Sequence, residues 1–127
     1  MNLFHGKPVD VKVTGDARIA YEELNKIVGE EKTKGITTSP NQVLFNSIKQ
    51  KIEFIRENPE YGIHIPKNLI PRDYINNYDV NNLWKVNITG AWRIIYTIKG
   101  SEVEIIALIL DIFNHKDYDK KFGYKKS

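Results

Sequence analysis

The residues of this chain best suited to chemistry are concentrated in its last third, where two cationic side chains precede a histidine and a tyrosine. Lys85 and Arg93 each sit in a stretch that alternates apolar and polar residues, and His115 and Tyr118 follow a third, apolar stretch. Lysine and arginine attract anions, and histidine gains or loses a proton near neutral pH. These four side chains can act together only if the elements that carry them meet.

Two predicted strands carry the cations, because the side chains of a strand point alternately to opposite faces of a sheet. One face takes an apolar set, which consists of Trp84, Val86, Ile88, Trp92, Ile94, Tyr96 and Ile98. The opposite face takes a mainly polar set, which consists of Lys85, Asn87, Thr89, Arg93, Ile95 and Thr97. The short connection at residues 89–91 contains glycine and predicts an antiparallel hairpin. The hairpin places Lys85 and Arg93 on the same face.

Two further strands complete the predicted sheet. Residues 9–14 alternate near the start of the chain and predict the first strand. The run at residues 103–110 is apolar without clean alternation, which predicts a central strand with both faces covered. We expect His115 just beyond the end of that strand.

Two amphipathic helices are predicted between the first strand and the hairpin. The first has apolar residues at spacings of three and four, and it either ends at Gly29 or continues to Gly35. The second begins at the capping signal Ser39-Pro40 and ends before Pro59. Residues 60–82 are irregular, apart from a short helix predicted at residues 72–78.

The order of strand, helix, helix, loop and three-strand meander predicts an α+β fold. In this β-α-α-β-β-β arrangement, two N-terminal helices pack on one face of an antiparallel sheet. We expect the tryptophans to lie beneath the helices and the polar set to remain on an uncovered face.

Composition restricts the classes of protein to which this chain can belong. The 127 residues fit one domain, with an N-terminal arm at residues 1–8 and a basic C-terminal tail at residues 119–127. The net charge of +3 and the isoelectric point near 9.0 favour a polyanionic partner. The chain has no cysteine, which excludes disulfides and thiolate chemistry, and its three histidines lack close ligand spacing, so we expect no metal site. No segment approaches the about 20 apolar residues of a membrane span, so we expect a cytoplasmic protein.

Each candidate residue also has a purely structural explanation. Lys85 and Arg93 can be solvating charges on a sheet, and His115 can cap a turn. Tyr118 can pack with Phe122 on the edge of the domain. These explanations do not account for the proximity of two cations to a histidine and a tyrosine.

The last third of the chain resembles the RelE/ParE toxin superfamily, and within it an archaeal branch with a longer loop before the meander. The motifs that carry the resemblance are Leu83-Trp-Lys-Val-Asn-Ile, Gly90-Ala-Trp-Arg-Ile-Ile-Tyr-Thr-Ile and Ile112-Phe-Asn-His-Lys-Asp-Tyr-Asp-Lys-Lys-Phe-Gly-Tyr. The order of the predicted elements extends the resemblance over most of the chain.

The resemblance implies a toxin of a type II toxin–antitoxin pair. In the RelE branch such a toxin is an endoribonuclease that cuts messenger RNA on the ribosome. The 2′-hydroxyl of the substrate attacks the adjacent phosphate, so the reaction needs a base, an acid and cations, but neither a metal nor another cofactor. The implied partners are an antitoxin protein, messenger RNA and the ribosome, with no membrane and no small-molecule cofactor.

The resemblance also implies roles for four residues. Arg93 matches the family's strand arginine and would bind the scissile phosphate through its planar guanidinium. Lys85 would stabilise the phosphate or transfer a proton, and His115 would act in proton transfer. Tyr118 matches the family's C-terminal tyrosine, which stacks on a base or assists proton transfer, although Tyr124 could fill that role instead.

Further RNA contacts are expected from the surroundings of these four, namely from Asn87, Lys116, Lys120, Lys121 and Tyr124. Asn87 is also a departure from the family, because ribosome-dependent members carry a second basic residue in this strand. The departure keeps an alternative open. In the alternative, the chain is a ParE-like inhibitor without catalysis, or a nucleic-acid-binding or antitoxin-binding domain that has lost ribonuclease activity.

Overall fold

The computed structural model describes residues 3–123, which form an α+β fold of six strands and four helices. The strands are β1 (Leu3–Phe4), β2 (Lys7–Val13), β3 (Ile63–His64), β4 (Trp84–Ile88), β5 (Trp92–Gly100) and β6 (Ile105–Asn114). The helices are α1 (Gly15–Thr33), α2 (Pro40–Glu57), α3 (Arg72–Tyr78) and α4 (His115–Phe122). Two short 3₁₀ turns lie at Lys67–Leu69 and Thr89–Ala91.

The six strands form one mixed sheet in the order β1-β2-β6-β5-β4-β3. Strand β6 is central, as predicted, and β4 and β5 form the predicted antiparallel hairpin. The prediction of a wholly antiparallel sheet is wrong, because β2 pairs parallel to β6, with Val9 opposite Ile105. Alternation identifies a segment as a strand but does not specify its neighbour, so the direction of β2 depends on how α1 and α2 cross the sheet.

The two N-terminal helices cover one face of this sheet, as predicted. Helix α1 contributes Leu24 and Val28 to the core, and α2 contributes Ile48 and Ile55. The sheet contributes Val86, Ile88, Ile94, Tyr96, Ala107, Ile109 and Ile112, with Trp84 and Trp92 partly buried against them. The alternation read from β4 and β5 therefore identifies correctly the side chains that face α1 and α2.

The polar face is covered, which corrects the expectation that it is open. A second core lies there, built from Ile65, Ile70, Tyr74, Val80, Leu83, Ile95, Leu110 and Tyr118. Its members come from β5, β6, the segment 65–83 and α4. Thr97 is completely buried, and its hydroxyl donates a hydrogen bond to the main-chain oxygen of Asn82 at 2.7 Å. The apolar residues of segment 65–83 have no regular spacing, so the sequence pattern does not show that this segment packs on the sheet.

Both ends of the described chain are more structured than expected. Leu3 and Phe4 pair with Pro8 and Lys7, so part of the predicted N-terminal arm is strand β1. Helix α4 extends through residue 122, so the predicted tail at residues 119–127 begins inside a helix. Within residues 3–123, no helix has the length and apolar character needed to cross a membrane.

The start of α2 is fixed by Ser39. Its hydroxyl oxygen accepts a hydrogen bond from the main-chain N–H of Gln42 at 3.1 Å, as the capping signal predicts. The same hydroxyl donates to the carboxylate of Glu31 in α1, and this hydrogen bond is the main reason why the pKa of Glu31 is lowered. Ser39 thus ties the end of α1 to the beginning of α2.

We predict that Ser39→Ala lowers the stability of the protein. The loss of the helix cap should reduce the free energy of unfolding by about 1 kcal/mol and the melting temperature by about 4 °C. Thermal unfolding followed by circular dichroism measures the change. Thr38→Ala, at the exposed neighbouring position, is the matched control. Equal melting temperatures for the two variants would contradict the capping role.

Candidate anion-binding site

Lys85 and Arg93 share the second face of the sheet, and the strand register makes them close neighbours. Arg93 lies directly opposite Asn87 of β4 on one side and Phe113 of β6 on the other. Lys85 belongs to the next row, where it lies opposite Ile95. Positions offset by two residues in neighbouring strands are diagonal neighbours on one face, within reach of long side chains.

The ring of Tyr118 brings the two cations together. The Lys85 Nζ lies 5.2 Å from the centre of this ring, and the Arg93 guanidinium carbon lies 5.5 Å from it. Cation–π contacts contribute about 0.5–2 kcal/mol each, more where water is excluded. Tyr118 is only 5 % exposed, so the contacts belong to a partly desolvated site. Lys85, Arg93 and Tyr118 are called the cationic cluster below.

Helix α4 holds Tyr118 in place. The side chain of Asn114 caps the helix, since its Oδ1 accepts a hydrogen bond from the main-chain N–H of Asp117 at 2.9 Å. The Tyr118 ring stacks on Phe122, with ring centres 4.5 Å apart, and meets Phe113 edge-on at 6.1 Å. Aromatic packing therefore sets the position of the ring against which both cations lie.

Arg93 retains unused hydrogen-bonding capacity. Its Nη1 donates to the main-chain oxygen of Trp92 at 3.1 Å, whereas its Nε is buried and has no hydrogen-bond partner within residues 3–123. In the same range, neither Arg93 nor Lys85 forms an ion pair with a carboxylate. A buried donor without a partner costs about 1–3 kcal/mol, more when it is charged. An anion with several oxygens would accept hydrogen bonds from Arg93 and neutralise both charges.

His115 belongs to the same helix as Tyr118. It begins α4, one helical turn before Tyr118, and its side chain is 48 % exposed. Its Nε2 lies 3.8 Å from the Oδ2 of Asp119, an ion pair when the imidazole is protonated. The structure therefore brings three of the four predicted catalytic residues into contact, while the fourth, His115, is more exposed.

The predicted RNA-binding residues are spread around the cluster. Asn87 is exposed and lies directly across the ladder from Arg93, while Lys116 and Lys120 are exposed on α4. Lys121 is already engaged, because its Nζ lies 3.3 Å from the Oδ2 of Asp73 and 5.1 Å from the ring centre of Tyr74. Tyr124 lies outside the described residues.

A buried carboxylate next to the cluster was not anticipated from the sequence. Asp111 is 8 % exposed, belongs to the same row as Lys85 and Ile95, and accepts a hydrogen bond of 2.6 Å from the hydroxyl of Tyr74. One strand separates it from Lys85, a distance of about 10 Å across two strand spacings. Asp111 therefore does not form an ion pair with Lys85.

The environment of Asp111 raises its pKa. Burial is the main cause, and the nearby Asp16 acts in the same direction, whereas Tyr74 and Lys121 oppose it.

A cleft of about 440 Å³ opens beside Asp111, lined by Asp16, Asp73, Asp111, Phe113, Asp117, Lys120 and Lys121. Within residues 3–123, no group of His, Cys, Asp or Glu side chains has the arrangement of a metal site. A lone aspartate after an apolar run is the only signal of this feature in the sequence.

Comparisons with known proteins identify no family for the chain. No family model matches it, and no solved structure matches it significantly. It is similar to a 5-methyltetrahydropteroyltriglutamate–homocysteine methyltransferase of Buchnera aphidicola subsp. Schizaphis graminum, with 27 % identity over 124 residues. The match covers 80 % of this chain, and the chain spans 15 % of the length of that curated protein.

We predict that Asp111→Asn stabilises the protein at neutral pH. Because the pKa of Asp111 is raised on folding, the folded state binds this proton more tightly than the unfolded chain does, and ionisation lowers stability as the pH rises through that pKa. Asparagine removes the charge and keeps an oxygen that accepts from Tyr74.

Urea denaturation at neutral and acidic pH measures the difference in the free energy of unfolding. The gain should be present at neutral pH and should shrink as the pH falls and Asp111 becomes protonated. Asp10→Asn, at an exposed position of β2, is the control and should change little. A variant that is destabilised equally at both pH values would show instead that the carboxylate supports the fold.

Proposed function

We propose that this protein is a RelE-like toxin of a type II toxin–antitoxin system, a cytoplasmic, metal-independent endoribonuclease that cleaves messenger RNA on the ribosome. The observation that carries the proposal is the cationic cluster. Two cations without a carboxylate partner in the described chain lie against one aromatic ring, and one of them has a buried N–H that lacks an acceptor. A phosphodiester carries the negative charge that two cations without a carboxylate attract.

The arrangement of elements also supports the proposal. When the two-residue strands β1 and β3 and the helices α3 and α4 are set aside, the remaining elements follow the order β-α-α-β-β-β, with α1 and α2 on one face. Arg93 lies on the middle strand of the final meander, where the resemblance places the family's arginine. This relationship to the RelE/ParE superfamily is part of the proposal.

The proposed reaction divides its tasks among these residues. The 2′-oxygen of the RNA attacks the adjacent phosphorus, its proton passes to a base, and the bond from phosphorus to the 5′-oxygen breaks as an acid protonates that oxygen. Arg93 and Lys85 would stabilise the negative charge that grows on the phosphate. Tyr118, which contacts both cations, and His115, on the same helix, are the candidates for proton transfer.

The alternative of a non-catalytic inhibitor or binding domain is favoured by two observations. Asn87 lies directly opposite Arg93 and supplies no positive charge. The imidazole of His115 lies beside the carboxylate of Asp119, with which it pairs when protonated. Such a protein would still hold a phosphate at Arg93 and Lys85 but would not cut the chain. We do not extend the methyltransferase activity to this chain, because the similarity covers 15 % of that protein.

The antitoxin is proposed as a partner on the strength of the resemblance. Two surfaces are suited to a peptide. The outer edge of β2 pairs with β1 only at Lys7 and Pro8, which leaves residues 9–13 without a strand partner on that side in the described chain. An apolar groove of about 520 Å³ lies between the start of α2 and the β4–β5 connection and includes Leu44 and Trp92.

We predict that Arg93→Ala abolishes cleavage of ribosome-bound message. Removal of one charge-stabilising group at a reacting phosphate lowers catalytic rates by about 100- to 1000-fold. Inhibition of a cell-free translation reaction and primer extension on the message measure the effect. Arg18→Ala is the matched control, since this exposed arginine pairs with Glu22 on α1, away from the cationic cluster.

The outcomes separate the two functions. Cleavage by the parent protein and its loss in Arg93→Ala support the endoribonuclease. Inhibition that occurs without cleavage and survives in His115→Ala and Tyr118→Phe supports the non-catalytic alternative. Translation and message that remain intact in the presence of the parent protein would rule out the proposed RelE-like activity.

A further inference from the structure

The outer edge of the sheet beside the cationic cluster is only partly covered. Strand β3 has two residues and pairs only with Trp84 and Lys85 of β4. The remainder of β4, residues 86–88, has no strand partner on that side within the described residues. The uncovered edge thus begins one residue after Lys85.

The main chain of Asn87 faces this open edge. The N–H of Ile65 donates to the main-chain oxygen of Leu83 at 2.9 Å, so the main-chain groups of Leu83 point toward the β3 side. The direction alternates along an antiparallel strand, which places the groups of Lys85 and then Asn87 on the same side. Asn87 therefore offers a main-chain donor, a main-chain acceptor and an exposed side-chain amide along one edge.

A cleft of about 250 Å³ lies at this edge, lined by Tyr61, Gly62, Ile63, Lys85, Val86 and Asn87. Lys85 links the cleft to the cationic cluster, because it lines the cleft and also contacts the ring of Tyr118. A ligand that reaches from one site to the other passes the Lys85 side chain.

Tyr61 provides an aromatic surface at the mouth of the cleft. Its side chain is 41 % exposed, yet its position is fixed, because its ring packs on Phe54 with centres 5.3 Å apart. The Nζ of Lys51 lies 5.8 Å from the Tyr61 ring centre and donates to its hydroxyl at 3.4 Å. Lys51 forms no ion pair in the described part of the chain, so it adds positive charge beside the ring.

We propose that this cleft binds one nucleobase of a single-stranded RNA whose adjacent phosphate is held by Lys85 and Arg93. The inference rests on the proposed function and adds a base subsite to it. A nucleobase combines a flat face, which stacks on an aromatic ring, with a polar edge, which pairs with amide donors and acceptors. Tyr61 supplies the stacking surface, and Asn87 supplies the amide groups.

The chemistry of the edge favours a nucleotide over an extended peptide. An added peptide strand would need a longer row of unpaired main-chain groups than the three residues available here. Lys85 lines the cleft and Lys51 lies beside the Tyr61 ring, and neither has a carboxylate partner in the described chain, which suits an anionic ligand. A peptide remains an outcome that the test below can reveal.

The test compares two fluorescent single-stranded oligonucleotides by anisotropy. Both carry 2′-deoxy sugars so that they cannot be cleaved, and one is abasic throughout, so it keeps the phosphates and lacks the bases. Tyr61→Ala should weaken binding of the base-containing oligonucleotide by about tenfold, the effect of losing one stacked base, and should not change binding of the abasic one. Tyr61→Phe should bind like the parent protein.

Controls keep the base subsite and the phosphate site distinguishable. Leu69→Ala, 48 % exposed in segment 65–83, should not alter binding of either oligonucleotide. Arg93→Ala should weaken both. If Arg93→Ala weakens both and Tyr61→Ala weakens neither, the base subsite is refuted and the phosphate site stands. If Arg93→Ala has no effect on either, the phosphate site fails and the base subsite fails with it.

A second readout does not depend on affinity. In an amide-resolved NMR spectrum, the base-containing oligonucleotide should shift the Asn87 main-chain N–H resonance, and the abasic one should not. The spectrum also reports whether Tyr61→Ala is folded. A shift of equal size with both oligonucleotides would overturn the inference. An Asn87 resonance that moves only when an uncharged extended peptide is added would also overturn the inference, because the edge would then be a peptide-docking surface.

Discussion

The contact of Lys85 and Arg93 with the ring of Tyr118 is the interaction on which the candidate site depends. Two positive charges on neighbouring strands repel each other, and the described chain supplies neither with a carboxylate. The electron-rich face of the ring offsets part of this cost, although it leaves the Arg93 Nε without an acceptor. The folded protein thus keeps two neighbouring cations without a carboxylate partner in the described chain, and such a pair attracts an anion.

The position of that ring depends on the covered second face. Helix α4 returns over the sheet and stacks Tyr118 on Phe122, and segment 65–83 with α3 fills the rest of the face. A sheet with one open face would leave the two cations in bulk water, where each would bind an anion weakly. The second core therefore turns a row of surface charges into a partly desolvated site.

The buried carboxylate of Asp111 is another group near the candidate site whose surroundings lower the stability of the fold. Its carboxylate lies under Tyr74, its pKa is raised by burial, and one strand separates it from Lys85. At that distance it does not form an ion pair that would block the cations. Groups whose pKa is shifted by their surroundings are more frequent near functional sites than elsewhere in a fold.

The sequence by itself determined the local elements and the identity of the β4 and β5 side chains that face α1 and α2. Alternation in β4 and β5 placed Lys85 and Arg93 together, and the Ser39 signal located α2, because both depend on residues close together in the chain. Only the tertiary structure decided the parallel pairing of β2 with β6, the burial of Thr97 under segment 65–83, and the position of Tyr118 against the cations. These features join residues that are far apart in sequence. Their energies come from burial and packing between distant segments, which the hydrophobic periodicity of a local stretch does not show.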